Sequence, residues 1–351
     1  MENQIHFTQK LIDWYRNHYR KLPWRQNATP YYIWISEIIL QQTQVSYGVP
    51  YYTTFIERFP TIEDLAEASE QEILAVWQGL GYYRRVINLH KTAKIISSHH
   101  RGIFPSTYDQ LIKLPGIGDY TASAILSICF GKPYGVVDGN VYRFFARYFG
   151  IDMPLGSSLA FKTFKKLSNH YLDIDHPDLY NQAIMEYGAL VCTYQNPRCH
   201  RCVFQNNCYA FNAKQIDQFP VKKSKKLNKI RYFNFLVIQP SDGLIVLEKR
   251  KKRDIWAGLY QFPLIESNKE LQTVEQLISE KGSHGSFMTD HNNIKKWNEK
   301  AIMQRLSHQR LWITFWIIPF CNQSLKNTYP IEQLSTVPLP MILSNFVKRY
   351  F

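Results

Sequence analysis

The chain has no apolar run approaching the ~20 residues needed to cross a bilayer as a helix. Its longest, Leu311 to Phe320, is about strand length. Met1-Glu2-Asn3-Gln4 carries neither the charged nor the apolar region of a signal peptide, so a cytoplasmic location is expected. Acidic residues are scarce: 28 Asp and Glu face 42 Lys and Arg, for a formal charge of +14 and a pI near 9.4. Such a balance suits a polyanion, most simply nucleic acid, although an anionic membrane surface would also attract it. Cysteines are few, six in all, and four of them crowd residues 192–208 while Cys129 and Cys321 stand apart. In a reducing compartment clustered cysteines imply a metal rather than disulfides. No internal repeat is present. At 351 residues the chain is long enough for two or three domains with real cores.

Residues 112–145 are the most informative stretch. Leu114-Pro115-Gly116-Ile117-Gly118 forms a tight turn, and Tyr120 to Leu126 starts a helix at once. The two glycines permit positive φ and leave their N–H groups uncovered, at a helix end that favours an anion such as phosphate. Tyr108, Leu111, Ile112 and Leu114 suggest a helix before the turn. The unit therefore reads helix–hairpin–helix near 107–128, a DNA-backbone clamp or a plain helix connection. Further on, Asp138 precedes Val141, Phe144 and Phe145, where a helix N-cap belongs.

Elsewhere in the N-terminal part the spacing is helical. Ile5 to Tyr19 forms one such segment, Leu22-Pro23-Trp24-Arg25 an extended proline turn, and Thr29-Pro30 opens a helix expected over 30–47. Helices are also expected over 62–78, 84–98, 158–173 and 179–192. Residues 213–230 read as a solvated basic linker around Pro220, with Lys222, Lys223, Lys225, Lys226 and Lys229 among its charges. Strands follow over 232–238, 243–247 and 311–317, with a helix near Leu271 to Ile278, which makes 231–351 a separate α+β domain.

Two features carry chemistry. Cys192, Cys199, Cys202 and Cys208 have the spacing C-x6-C-x2-C-x5-C, compact enough to wrap one metal centre. Zinc sites usually bring two separated C-x2-C pairs, and only one pair is present. Glu37 lies among Trp34, Ile38, Ile39 and Leu40, surroundings that desolvate a carboxylate and raise its pKa toward that of a general acid. The commoner alternative is an exposed glutamate on an amphipathic helix.

LPWR (22–25), SEIILQQTQV (36–45), GLGYYRR (79–85), LPGIGDYTA (114–122), VDGN (137–140), NQAIMEYGALVC (181–192) and the cysteine loop together resemble the MutY-type adenine DNA glycosylases. These belong to the helix-hairpin-helix, endonuclease III-like superfamily and carry a C-terminal Nudix-like domain. The likeness covers nearly the whole chain. It implies an all-α glycosylase region (1–212) with an iron–sulfur loop (192–208), and a lesion-recognition domain (231–351). It also implies a [4Fe–4S] cluster on the four cysteines. The substrate would be double-stranded DNA holding adenine opposite 8-oxoguanine or guanine, acted on by a monomer, nucleoid-associated if bacterial. Glu37 would protonate adenine N7, Asp138 would stabilise the sugar cation, Tyr120 would pack by that sugar, and Asn140 would orient Asp138 or the water. Trp24, Arg25 and Gln182 would line the purine pocket, Gln42 and Tyr82 would act as wedges when the base flips, and Gly116 and Gly118 would hold the DNA backbone. Family members with strong lyase activity place lysine at the position of Tyr120. A phenol cannot form a Schiff base, so a monofunctional enzyme is expected.

In the C-terminal domain the family reads the lesion with Phe-Ser-His, where this chain has Leu306-Ser307-His308. Ser307 and His308 would keep the hydrogen bonds while the aromatic is lost. Glu266, Glu270 and Glu275 do not make the glutamate pattern by which Nudix hydrolases hold magnesium, so a non-hydrolytic module is expected. Rival readings are a thymine or uracil mismatch glycosylase on the same scaffold and a non-catalytic DNA-binding protein.

Overall fold

A computed structural model of the chain describes residues 4–221, 229–239, 243–250, 254–280, 293–319 and 327–351. Cys321 and residues 222–228 of the expected linker lie outside them. The chain divides into two compact units, Met1–Ala68 with Asn88–Lys225, and Ser69–Ile87 with Lys226–Phe351.

The helices run α1 (Gln4–His18), α2 (Pro23–Gln26), α3 (Pro30–Leu40), α4 (Val45–Arg58), α5 (Ile62–Glu67), α6 (Glu70–Val76) and α7 (Arg84–His100). They continue as α8 (Tyr108–Leu111), α9 (Asp119–Phe130), α10 (Gly139–Phe149), α11 (Ser158–Tyr171), α12 (Pro177–Leu190) and α13 (Tyr209–Asn212). Three local expectations change. The LPWR segment is not extended: Pro23 starts the short α2 from an extended Leu22, since a proline at N1 sacrifices no helical bond. The helix expected over 30–47 breaks at 41–44, where Gln42 takes a φ of 58° and ends α3. The helix expected over 62–78 is two helices, because Thr61–Asp64 and Ser69–Glu72 each build a capping box.

An aromatic core organises the first unit. α10 buries Val141, Phe144, Phe145 and Tyr148, one stripe at helical spacing, and ends on Gly150 in the left-handed region. Phe7 of α1 lies 4.6 Å from both Tyr171 and Phe204, and Tyr187 of α12 lies 5.1 Å from Phe144, measured between ring centres. α12 can approach α10 because residue 188 is glycine: a Cβ there would lie 2.7 Å from the backbone oxygen of Asn140.

The second unit centres on β1 (Lys229–Gln239). The remaining strands are β2 (Leu244–Val246), β3 (Glu248–Lys249), β4 (Tyr260–Gln261), β5 (Leu264–Ser267), β6 (Lys295–Lys296), β7 (Ile302–Arg305), β8 (Gln309–Pro319) and β9 (Thr328–Pro330). The largest sheet has the order β5-β1-β8-β6, with β7 also on β8, and β1 and β8 run parallel from Lys229↔Gln309 onward. Phe233, Phe235 and Val237 share one core with Leu343 and Phe346 of α15 (Met341–Tyr350). Leu236 and Ile238 share the other with Leu277 of α14 (Val274–Ser279). Alternate β1 residues thus feed opposite faces, as the two-residue repeat of a strand requires. Within this unit the buried Arg231 pairs with Asp254 at 2.8 Å and with Glu266 at 2.6 Å.

Candidate active site

Glu37 sits on a helix buried nearly all round, flanked by Ser36, Ile38 and Ile39, and is itself 8% exposed. Burial pushes its pKa up to about 7, aided by the charge of Asp138 and opposed by the Tyr120 hydroxyl and by Arg25. That set shows which groups converge: Glu37 from α3, Tyr120 from the first turn of α9, Asp138 before α10, and Arg25 from α2. The Tyr120 hydroxyl, within reach of Glu37, donates to Met185 Sδ at 3.1 Å. Burial and the two neighbouring carboxylates raise its pKa, so the phenol keeps its proton.

Asp138 caps α10, as expected. Its Oδ1 accepts the backbone N–H groups of Asn140 and Val141 at 2.9 and 2.8 Å, and its Oδ2 accepts Asn140 Nδ2 at 2.7 Å. Burial raises the Asp138 pKa, while these bonds and the charge of Arg143 oppose the rise. Asn140 Oδ1 in turn accepts Arg143 Nη2 at 2.9 Å. Arg143 donates to Gly188 O at 2.6 Å and to Cys192 O at 2.7 Å. Continuous hydrogen bonds therefore run from Asp138 to the start of the cysteine loop. One turn later, Arg147 holds Thr193 O at 2.6 Å and Tyr194 O at 3.1 Å.

Cys192, Cys199, Cys202 and Cys208 line one cavity with Phe144, Arg147, Val191, Pro197, Phe204 and Ile216. They form no disulfide, and among the described residues no three ligands draw together as a single ion would need. The four sulfurs nonetheless ring one cavity. Two donors already face the sulfurs, Tyr187 Oη to Cys202 Sγ at 3.0 Å and Arg147 Nη1 to Cys192 Sγ at 3.5 Å. Burial raises Cys202 to about 11, so only a bound cationic centre would keep such a thiol ionised at neutral pH.

Around Arg25 lies a set of residues that the sequence reading passed over. Glu186, 1% exposed, accepts Arg20 N and Nε at 2.8 Å and Arg25 Nη2 at 3.0 Å. These arginines overcome its burial and hold its pKa at about 2. The visible signal was an acid in the apolar NQAIMEYGALVC helix, four residues after Gln182. Gln182 Oε1 accepts the Tyr15 hydroxyl at 3.5 Å, and the Arg25 guanidinium lies 5.6 Å from the Tyr15 ring centre. Trp24 is buried edge-on to Tyr52. A depressed folded pKa adds stability above the unfolded value of 4.5 that is lost as pH falls through about 2. Glu186→Gln, which leaves two arginines unpaired, is expected to lower the unfolding free energy by about 3 kcal/mol in urea titrations at pH 7. An unchanged midpoint would contradict this.

The remaining expected residues are exposed. Gly116, with φ 81°, and Gly118 form the hairpin, and a Cβ on Gly116 would lie 2.9 Å from Asn88 Cβ. Gln42 is exposed in the turn between α3 and α4. In the second unit, Tyr82 is 50% exposed with φ 48°. Ser307 and His308 form the β7–β8 turn, their side chains 3.2 Å apart, and Leu306 packs against that unit's core. Glu266 is engaged by Arg231, Glu270 accepts Ala301 N at 3.2 Å, and Glu275 is exposed at the start of α14.

Residues 35–169 match the family model of the HhH-GPD superfamily of base excision DNA repair proteins, and residues 234–349 match a NUDIX domain model. An adenine DNA glycosylase of Buchnera aphidicola subsp. Baizongia pistaciae is 36% identical over 98% of this chain and 96% of its own length. A second, from Buchnera aphidicola subsp. Schizaphis graminum, is 37% identical over 89% and 86%. Among solved structures, a thermostable thymine-DNA glycosylase aligns with a TM-score of 0.55 at 25% identity, covering 60% of this chain and 97% of that one. The helical architecture, the Nudix-like sheet and full-length likeness at this level place the chain in the adenine DNA glycosylase family of base excision repair enzymes.

Proposed function

We propose that this enzyme removes adenine paired with 8-oxoguanine or guanine from duplex DNA, without strand cleavage of its own. The observation that carries the reading is Glu37, a buried acid with its pKa near 7, beside a second carboxylate at Asp138. At neutral pH a large share of Glu37 is protonated and can give its proton to N7 of a flipped adenine. The C1′–N9 bond then breaks with its electron pair leaving on the base, and the sugar is left with oxocarbenium character. Asp138, oriented by Asn140, stabilises that cation, and Tyr120 closes the site beside it. Trp24, Arg25 and Gln182 line the purine pocket, with Glu186 holding Arg25 in place.

Gln42 and Tyr82 act as wedges in the opened stack. Both hold left-handed backbone, a strained state for non-glycine residues that is common at functional positions. Gly116 and Gly118 present backbone amides to a DNA phosphate. Residues 1–212 would form the glycosylase region and 231–351 a recognition module that holds no catalytic magnesium; the expected linker 213–230 is not solvated throughout, because Ile216 and Phe219 pack into the first unit's core and β1 begins at Lys229.

Cys192, Cys199, Cys202 and Cys208 would hold a [4Fe–4S] cluster, which when bound supplies a fixed, electron-rich core for the loop. Arg143 and Arg147 tie that loop to α10, and Arg198, His200 and Arg201 are exposed on it for contact with phosphate. Chelation of the iron is expected to weaken DNA binding, as followed by anisotropy, with the loss of the cluster's visible absorption.

Chromatography of the base freed from duplexes with A opposite 8-oxoguanine, G or C tests the reading. Adenine should appear fastest from the first and slowest from the last; release of thymine or uracil from mismatches instead would favour the rival. Ser307→Ala with His308→Ala is expected to shrink the preference for 8-oxoguanine over guanine by about tenfold, from two lost hydrogen bonds. An unchanged ratio would refute their assignment. Tyr120→Lys should gain a borohydride-trappable DNA adduct, and none forming would weaken the case for Tyr120 as the reason strands stay intact.

A further inference from the structure

A second polar cluster gathers around the first residue of α9. Asp119, the first residue of α9, follows Gly118 directly. Its carboxylate accepts the Tyr108 hydroxyl of α8 at 2.8 Å and the Lys165 ammonium of α11 at 3.0 Å. The same ammonium donates to Ser123 Oγ at 2.7 Å and to Gly135 O at 2.8 Å. An ammonium has three hydrogens to give, so Lys165 is fully engaged. With 16% of its side chain exposed, it points into the protein rather than toward a ligand.

An acid in the first turn of a helix is ordinary, because the macrodipole favours it. Asp119, however, adjoins the amides proposed above to receive a DNA phosphate, and a bare carboxylate there would repel that phosphate. We infer that Lys165 is a positioning residue that cancels the charge of Asp119 and keeps its carboxylate drawn toward α8 and α11, leaving the hairpin receptive to a phosphodiester. The inference rests on the reading of the hairpin as a DNA contact. A mere brace between α9 and α11 would weaken the protein whichever partner were removed. Charge cancellation instead makes the two partners act in opposite directions.

The test uses the full chain and a duplex carrying 8-oxoguanine opposite 2′-fluoro-2′-deoxyadenosine, which resists cleavage, with affinity measured by anisotropy at low and high salt. Lys165→Met is expected to weaken binding by about tenfold at low salt and by less at high salt. Asp119→Asn should strengthen it by about threefold, and the double variant should return within about twofold of the parent, since the two act through one pair. Asp119→Asn weakening binding, or a double variant as weak as Lys165→Met, would overturn the inference. Should Lys165→Met fail to fold, Asp119→Asn alone still decides by its sign. Salt-insensitive binding by the parent protein would strike the hairpin reading itself, whereas unchanged, salt-sensitive binding by Lys165→Met would remove only the masking role.

Discussion

Glu37→Gln is expected to slow single-turnover adenine release by about 10³-fold, the middle of the range for a lost general acid. It should at the same time make the fold more stable in mild alkali. The raised pKa fixes both signs. A carboxyl whose folded pKa of about 7 exceeds its unfolded 4.5 gives its full stability below 4.5, and that contribution is lost as pH rises through about 7. At pH 8 the folded protein therefore carries a buried carboxylate that glutamine would replace with a neutral group of the same shape. The gain should be roughly 2 kcal/mol, discounted from the full shift for relaxation around a deeply buried site. The parent's cleavage rate should fall about tenfold per unit above about pH 7, as the proton leaves the acid, and fall again in acid once the Asp138 carboxylate, its own pKa raised by burial, takes up a proton. A variant both inactive and less stable at pH 8 would mean that the fold stabilises the Glu37 carboxylate and does not raise its pKa.

Asp138→Asn is expected to lower the same rate by about 10²-fold or more through loss of the negative charge facing the sugar cation. Its stability should change by less than about 1 kcal/mol, because asparagine caps a helix nearly as well as aspartate. The oxygen of the new amide can still accept Asn140 N and Val141 N, and only the bond from Asn140 Nδ2 must find another partner. Asp138→Ala would remove cap and charge together, so asparagine is the informative change. Thermal melts and base release on the same samples separate the roles: an active Asp138→Asn enzyme would reduce Asp138 to a cap.

What could be read beforehand divides along physical lines. The hairpin, the cap at Asp138 and the cysteine loop depend on residues close together in the chain, and their spacing carries the geometry. Glu37 was legible because its neighbours on α3 are apolar, which already implies desolvation. The break at 41–44 was not, since a glutamine at positive φ has no compositional signature. Nor was the two-arginine grip on Glu186, which joins α12 to residues near the N-terminus across more than 160 positions. Arg143 carries no signal in the sequence, yet it bonds Asn140, Gly188 and Cys192, a role set by how closely α12 packs. Long-range polar contacts of this kind appear only once the helices are placed.

The measurement closest to the centre of this account is free adenine released, under single-turnover conditions, by the Glu37→Gln, Asp138→Asn double variant from a duplex with adenine opposite 8-oxoguanine. With proton donor and cation stabiliser both gone, no adenine should appear above the uncatalysed background while the parent enzyme runs to completion. Release at the parental rate would contradict the assignment of the chemistry to this pair of carboxyl groups.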